Sequence, residues 1–205
     1  MIRHLRNIIL FLRNFYIGIP SKFLSPGLVL GTNYGKKFLI NKEIDGSNII
    51  SAGVGRDISW DEELAKKFEV NICLIDPTPI SNNYIYEKFE GKEYIKLPNS
   101  STVFFYNFAL WKEDSIVTLY PSQEFEHNDF SIHNLQKTKN TEIIKTQSFR
   151  VISIMKKLDW NQIDIIKLDI EGAALEVLKD MFKCNIYPKQ ILIEIDELFQ
   201  KSFVE

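Results

Sequence analysis

The residues that could do chemistry stand where apolar runs end. Gly53 and Gly55 follow Ile49-Ile50 in the turn Ser51-Ala52-Gly53-Val54-Gly55. Asp76 closes the run Ile72-Cys73-Leu74-Ile75, and Pro77 follows it. Asp169 closes Ile163–Leu168, with Glu171 and Gly172 just after it, and Glu194 lies inside the last apolar run. Glycines let a backbone turn tightly and approach a ligand. A helix that starts behind such a turn offers free N–H groups and a positive dipole end to an anionic group. An acid at the end of the next strand accepts hydrogen bonds from the two hydroxyls of a ribose. Asp76 lies about twenty residues beyond the glycines, the spacing expected for a nucleoside-containing cofactor. Gly53-Val54-Gly55 alone is also an ordinary strand-to-helix turn; Asp76 tips the reading toward cofactor binding. A dinucleotide fingerprint wants a third glycine where this chain has Ile58.

Each of these groups has a plainer reading. Asp57 can cap the helix behind the turn or face a cofactor. Asp169 and Glu171 can cap the helix that begins near Gly172, since acids are favoured there. Glu194, within an apolar run, should point to a polar site or a partner. His127 and His133 lie in the polar stretch 121–140, where they are either solvated or poised as bases. Cys73 and Cys184 lack metal-ligand spacing and read as reduced structural thiols.

The elements that must position these groups alternate. Ser59 and Glu62 form an S-x-x-E capping box, which predicts a helix from about Trp60 to Phe68. Ser81 to Phe89, Arg150 to Leu158, Ala173 to Phe182 and the chain from Glu197 onward also read as helices. Thr102 to Leu110 reads as one buried strand, Ile116 to Tyr120 as a hairpin strand, and Glu142 to Phe149 as a further strand. Strands beginning near 48, 71, 103, 163 and 190 are largely apolar. That pattern predicts an α/β fold with a parallel sheet covered on both faces. Ligands then bind at the carboxyl ends of the strands. Gly53, Asp76, Asn107, Asp169 and Glu194 would meet there.

At 205 residues, with 45% apolar and 25% charged residues, the chain has the make-up of one soluble globular domain. A net charge of −2 gives no sign of a nucleic-acid partner. Residues 1–42 carry basic residues and no acid. Leu5, Ile8, Ile9, Leu12, Phe15 and Tyr16 gather on one helical face. This basic amphipathic helix either covers the domain or lies on an anionic membrane surface. The expected division is 1–44 for that helix and a connecting segment, and 45–205 for the domain, with an inserted hairpin and loop near 112–149. No signal peptide is apparent, and no early apolar run approaches the roughly 20 residues that span a bilayer. The expectation is a cytoplasmic protein with possible peripheral membrane contact through residues 1–17.

Ile163 to Leu178 (IDIIKLDIEGAALEVL) resembles the signature of FkbM-type methyltransferases. Ser51 to Ser59, Asp76-Pro77-Thr78-Pro79 and Asn107 to Leu110 resemble the nucleotide half of a branch of that family, so the resemblance covers roughly residues 45–196. It implies a Rossmann-like class I methyltransferase sheet, mostly parallel, with helices on both faces. It also implies S-adenosylmethionine as cofactor and a hydroxyl of a small molecule or glycan as acceptor. Gly53, Val54 and Gly55 would line the methionine and ribose, Asp76 and Pro77 the ribose, Asn107 and Phe108 the adenine. Asp169 and Glu171 would face the methionine end and the acceptor, with His127 or His133 as a base from the loop. The chain departs from the pattern in two places. Ser51 stands where the resemblance implies an acid, which Asp57 could replace. Glu205 falls inside the expected last helix, which reads as a shortened member, a fragment or a chain completed by a partner. An open sheet edge would favour homo-oligomers. A NAD-dependent oxidoreductase of the same fold, and an inactive cofactor-binding or membrane-associated module, are the alternatives.

Overall fold

The computed structural model describes residues 27–40, 43–121, 130–132 and 143–194. The expected amphipathic helix at 1–17, both loop histidines, His127 and His133, and the helix expected from Glu197 lie outside the described residues.

The chain opens with a hairpin, β1 (Gly27–Leu30) and β2 (Lys37–Ile40). Then come β3 (Ser47–Ala52), α1 (Ser59–Lys67), β4 (Val70–Ile75) and α2 (Pro79–Lys88). Three short strands follow: β5 (Tyr94–Lys96), β6 (Thr102–Tyr106) and β7 (Ala109–Leu110). After them come β8 (Ser115–Pro121), β9 (Phe130–Ser131) and β10 (Ile144–Phe149). The last elements are α3 (Val151–Lys157), β11 (Ile165–Leu168), α4 (Ala174–Lys183) and β12 (Gln190–Ile193).

The main sheet has the order β12-β11-β3-β4-β6-β5. Its neighbours run parallel except β5, which pairs antiparallel with β6. A second sheet, β7-β10-β8-β9, combines one parallel with two antiparallel pairings. The fold is therefore mixed α/β with several sheets, and the expectation of one mostly parallel sheet holds only in part.

Strands β3, β4 and β11 are buried on both faces, as their near-continuous apolar runs require. One core layer joins Ile49, Ile72, Leu74 and Ile165 to Trp60, Leu64 and Ala65 of α1 and Ile85 of α2. The other joins Ile50, Cys73, Ile75 and Ile166 to Val151 and Ile154 of α3 and Val177 and Met181 of α4. Each such side chain contributes about 1.5–3 kcal/mol on burial.

Two local expectations are corrected. Ser59 is not an N-cap: it is the first helical residue of α1, and Ile58 stands at the cap with no side-chain bond of its own. The Ser59 hydroxyl instead accepts from the Thr32 amide at 2.8 Å, and Glu62 pairs with Lys88 at 3.1 Å. The long run Thr102–Leu110 is not one strand. It breaks at Asn107-Phe108, and Ala109–Leu110 leaves for the second sheet.

Candidate cofactor and acceptor cavity

A cavity of about 340 Å³ opens at the carboxyl ends of β3, β4 and β11. Gly53, Val54 and Gly55 line it from the turn after β3, and Asp76, Pro77 and Thr78 from the turn after β4. Asp169 and Glu171 line it from the turn after β11, and Glu194 from the end of β12. Asp57 also faces it. Asn107 and Phe108 are not brought to it. The chain switches sheets there, so Asn107 is exposed and Phe108 is buried between Tyr106 and Phe149, with ring centroids 5.3 and 4.7 Å away. Ala109 and Leu110 line the cavity instead.

The glycine turn is fixed from several directions. Gly53 has φ +84°, and a Cβ there would stand 1.8 Å from the Asp169 carbonyl oxygen. Only glycine allows the ends of β3 and β11 to approach so closely. The Gly53 amide donates to the Ile75 carbonyl at 3.0 Å. Asp76 Oδ2 accepts from the Val54 and Gly55 amides at 2.8 and 3.1 Å. Its Oδ1 accepts from the Thr78 amide and hydroxyl at 2.8 and 2.6 Å. Asp76 thus ties the two turns together through both carboxylate oxygens. Thr78 in turn caps α2, and Ser81 Oγ donates to the Gly55 carbonyl at 3.0 Å.

Asp57 accepts from the Ser59 amide at 2.7 Å and from the Thr32 hydroxyl. Burial opposes its charge, yet these bonds outweigh burial and hold the carboxyl below its usual value. It closes the entry to α1 and joins it to the hairpin.

Asp169 does not cap α4. Ala173 is the cap residue, and no side chain bonds there. Instead Lys37, carried in by β2, reaches Asp169 at 3.0 Å and Glu194 at 2.9 Å. Burial disfavours the Lys37 charge, but the two carboxylates outweigh it and raise its pKa. Ala109, Leu110, Leu119, Phe130 and Ile132 make an apolar wall beside Glu171.

Lys37, Lys167, Trp60 and Asp61 are among the cavity residues not singled out as site residues from sequence. Lys37 comes from a hairpin that reads as a connecting segment. Lys167 lies in the quoted signature; a lysine inside an apolar strand run was the available signal. Its Nζ donates to the Gly53 carbonyl at 2.8 Å. Trp60 and Asp61 line the cavity from α1 and are buried. Asp61 precedes Leu64 and Ala65 by three and four residues, the spacing of one helical face, so its burial was legible in principle. Ser51 is fully buried, with no partner for its hydroxyl. Among the described residues no cluster of His, Cys, Asp and Glu could hold a metal ion.

A family model described as the methyltransferase FkbM domain matches residues 26–205. No curated protein and no solved structure matches the chain.

Proposed function

The chain belongs to the FkbM methyltransferase domain family and is a methyltransferase, and from that premise we propose that it carries a methyl group from S-adenosylmethionine to a hydroxyl of a small molecule or glycan. The observation that carries this reading is one cavity holding the glycine turn, Asp76, Asp169 and Glu171. Its strand order also suits a class I methyltransferase sheet, with two helices on each face.

When bound, the cofactor supplies an activated sulfonium methyl. The protein then has to align two reactants and remove a proton. Gly53 to Gly55 and the Asp76–Thr78 turn would hold the nucleoside half, and Gly55 has open space where a Cβ would stand. Lys37, Asp169 and Glu194 form a charged group suited to the amino-acid half. Glu171 adjoins the apolar wall and is the described group placed to orient an acceptor hydroxyl or accept its proton. His127 and His133, in the stretch 121–140, remain proposed bases.

Among the described residues no helix is long and apolar enough to cross a membrane. We propose a cytoplasmic enzyme in which the helix expected at residues 1–17 covers the domain or serves as a peripheral membrane contact, with self-association through the sheet edges. Calorimetry with S-adenosylmethionine, S-adenosylhomocysteine and NAD tests the cofactor. Binding of the first two without NAD supports the reading; binding of NAD alone refutes it. Methyl transfer to a panel of hydroxyl and glycan acceptors tests the reaction.

A further inference from the structure

Beneath the glycine turn lies a buried polar cluster to which methyl transfer gives no role. Ser51 on β3 and Lys167 on β11 are register partners on adjacent parallel strands. Their side chains therefore share one face of the sheet. It is the face packed by α1, because Ile49 and Ile165, two residues earlier on each strand, lie in the core layer with Trp60 and Leu64. Asp61 descends from α1 onto the pair. The Ser51 hydroxyl adjoins its carboxylate, and the Lys167 charge acts on it without a contact ion pair. Ser51, Asp61 and Lys167 are 0%, 2% and 5% exposed. Asp61 Oδ1 and Ser51 Oγ have no hydrogen-bond partner.

A buried ammonium bonded only to a neutral carbonyl is a poor state unless an opposite charge lies near. Asp61 brings that charge from the helix. The small side chain at Ser51 leaves the volume into which the Asp61 carboxylate fits. Burial pushes the Asp61 carboxyl up, and Lys167 is the largest influence that pulls it back. Burial prevails, so the Asp61 carboxyl stays above its usual value, and Lys167 is the nearby charge that favours its ionised form. Lys167 spends one donor on the Gly53 carbonyl, at the residue whose positive φ sets the turn. The next two amides, Val54 and Gly55, are the ones that Asp76 holds from the opposite side.

We propose that Asp61 is a positioning residue for the cofactor turn: it balances the buried Lys167 ammonium, which holds the Gly53 carbonyl and so fixes the Val54 and Gly55 amides. Its effect on cofactor affinity rests on the methyltransferase reading above; its effect on the turn does not.

The test uses the full chain with Asp61→Asn, Asp61→Ser, Lys167→Met and the exchange Ser51→Asp/Asp61→Ser, which moves the carboxylate from helix to strand within the same volume. Two quantities are measured: hydrogen exchange at the Val54 and Gly55 amides without ligand, relative to amides of β4, and affinity for S-adenosylhomocysteine. Asp61→Asn and Lys167→Met should speed exchange at the two turn amides. They should weaken binding roughly ten-fold, the scale on which a supporting residue acts through the group it orients. The exchange variant should recover both quantities relative to Asp61→Ser. A folded Asp61→Asn with wild-type turn protection overturns the proposal. So does an exchange variant that fails to fold or is no better than Asp61→Ser. If wild type binds no S-adenosylhomocysteine while the turn amides still respond, the cofactor reading fails and the positioning role stands.

Discussion

A Cβ at Gly53 would lie 1.8 Å from the Asp169 carbonyl, at φ +84°, whereas one at Gly46, φ +76°, would meet nothing within 4 Å. Gly53→Ala should therefore destabilise by about 2 kcal/mol or more, and Gly46→Ala by about 1 kcal/mol. Urea denaturation midpoints of the two variants check the difference, and equal losses would refute the close-approach argument. Asp169 behaves differently: its side chain is partly exposed and paired with Lys37. Asp169→Asn should lower turnover about 100-fold while leaving the unfolding midpoint nearly in place. Unchanged turnover and cofactor affinity would remove Asp169 from the site. At this scale the glycines and acids were legible because they punctuate apolar runs. Lys37 was not, because its bond to Glu194 spans 157 residues and no local pattern encodes such a pairing. The Asn107-Phe108 pair was placed at the site by resemblance, and a strand switch moved it out of the cavity.

The hairpin β1–β2 carries a charge to the cavity rim, and helix α4 carries one that ties it to Lys112. Lys37 on β2 has a raised pKa, so its pairing stabilises fully below the ordinary lysine value of 10.5 and is lost as pH rises through the raised one. Lys37→Met should cost about 0.5–1 kcal/mol near neutral pH, since its partners are substantially exposed. The cost should vanish at strongly alkaline pH, which chemical denaturation across the alkaline range measures. On α4, Glu176 is bonded by Lys112 and Lys179, and these bonds lower its carboxyl from 4.5 to about 2. The stabilisation is present above about pH 4.5 and is lost as pH falls toward 2. Glu176→Gln should flatten that acid limb. An unchanged acid limb would show that the docking of α4 beside Trp111-Lys112 does not depend on this pair. Elements with long apolar runs were readable from sequence. The hairpin and β5 were not, because strands of four and three residues carry too short a pattern.

For the whole molecule, the cavity joins turns that follow β3, β4 and β11, so a ligand there bridges the centre of the main sheet. Binding to the folded state alone then stabilises all of it. S-adenosylhomocysteine at about 100 times its Kd should add roughly 2.7 kcal/mol, raising Tm by about 5–10 °C in a domain of this size. NAD should leave Tm unchanged, and the reverse pattern would favour an oxidoreductase. Among the described residues the main sheet ends in β12 on one side and the short antiparallel β5 on the other. The self-association proposed through these edges should appear as a concentration-dependent sedimentation coefficient, and a monomer at all concentrations would refute it.

By itself the sequence determined the alternation of apolar strands and helices, the glycine turn, and the acids at the strand ends. Each is written in short-range periodicity and in the conformational limits of single residues. Tertiary structure decided the rest. It split Thr102–Leu110 between two sheets, because β-propensity does not name a strand's partner. It brought Lys37 across from the hairpin to Asp169. It set Asp61 over Ser51 and Lys167, because only the packing of α1 on the β3–β11 face brings a helix carboxylate and a strand ammonium into one buried volume.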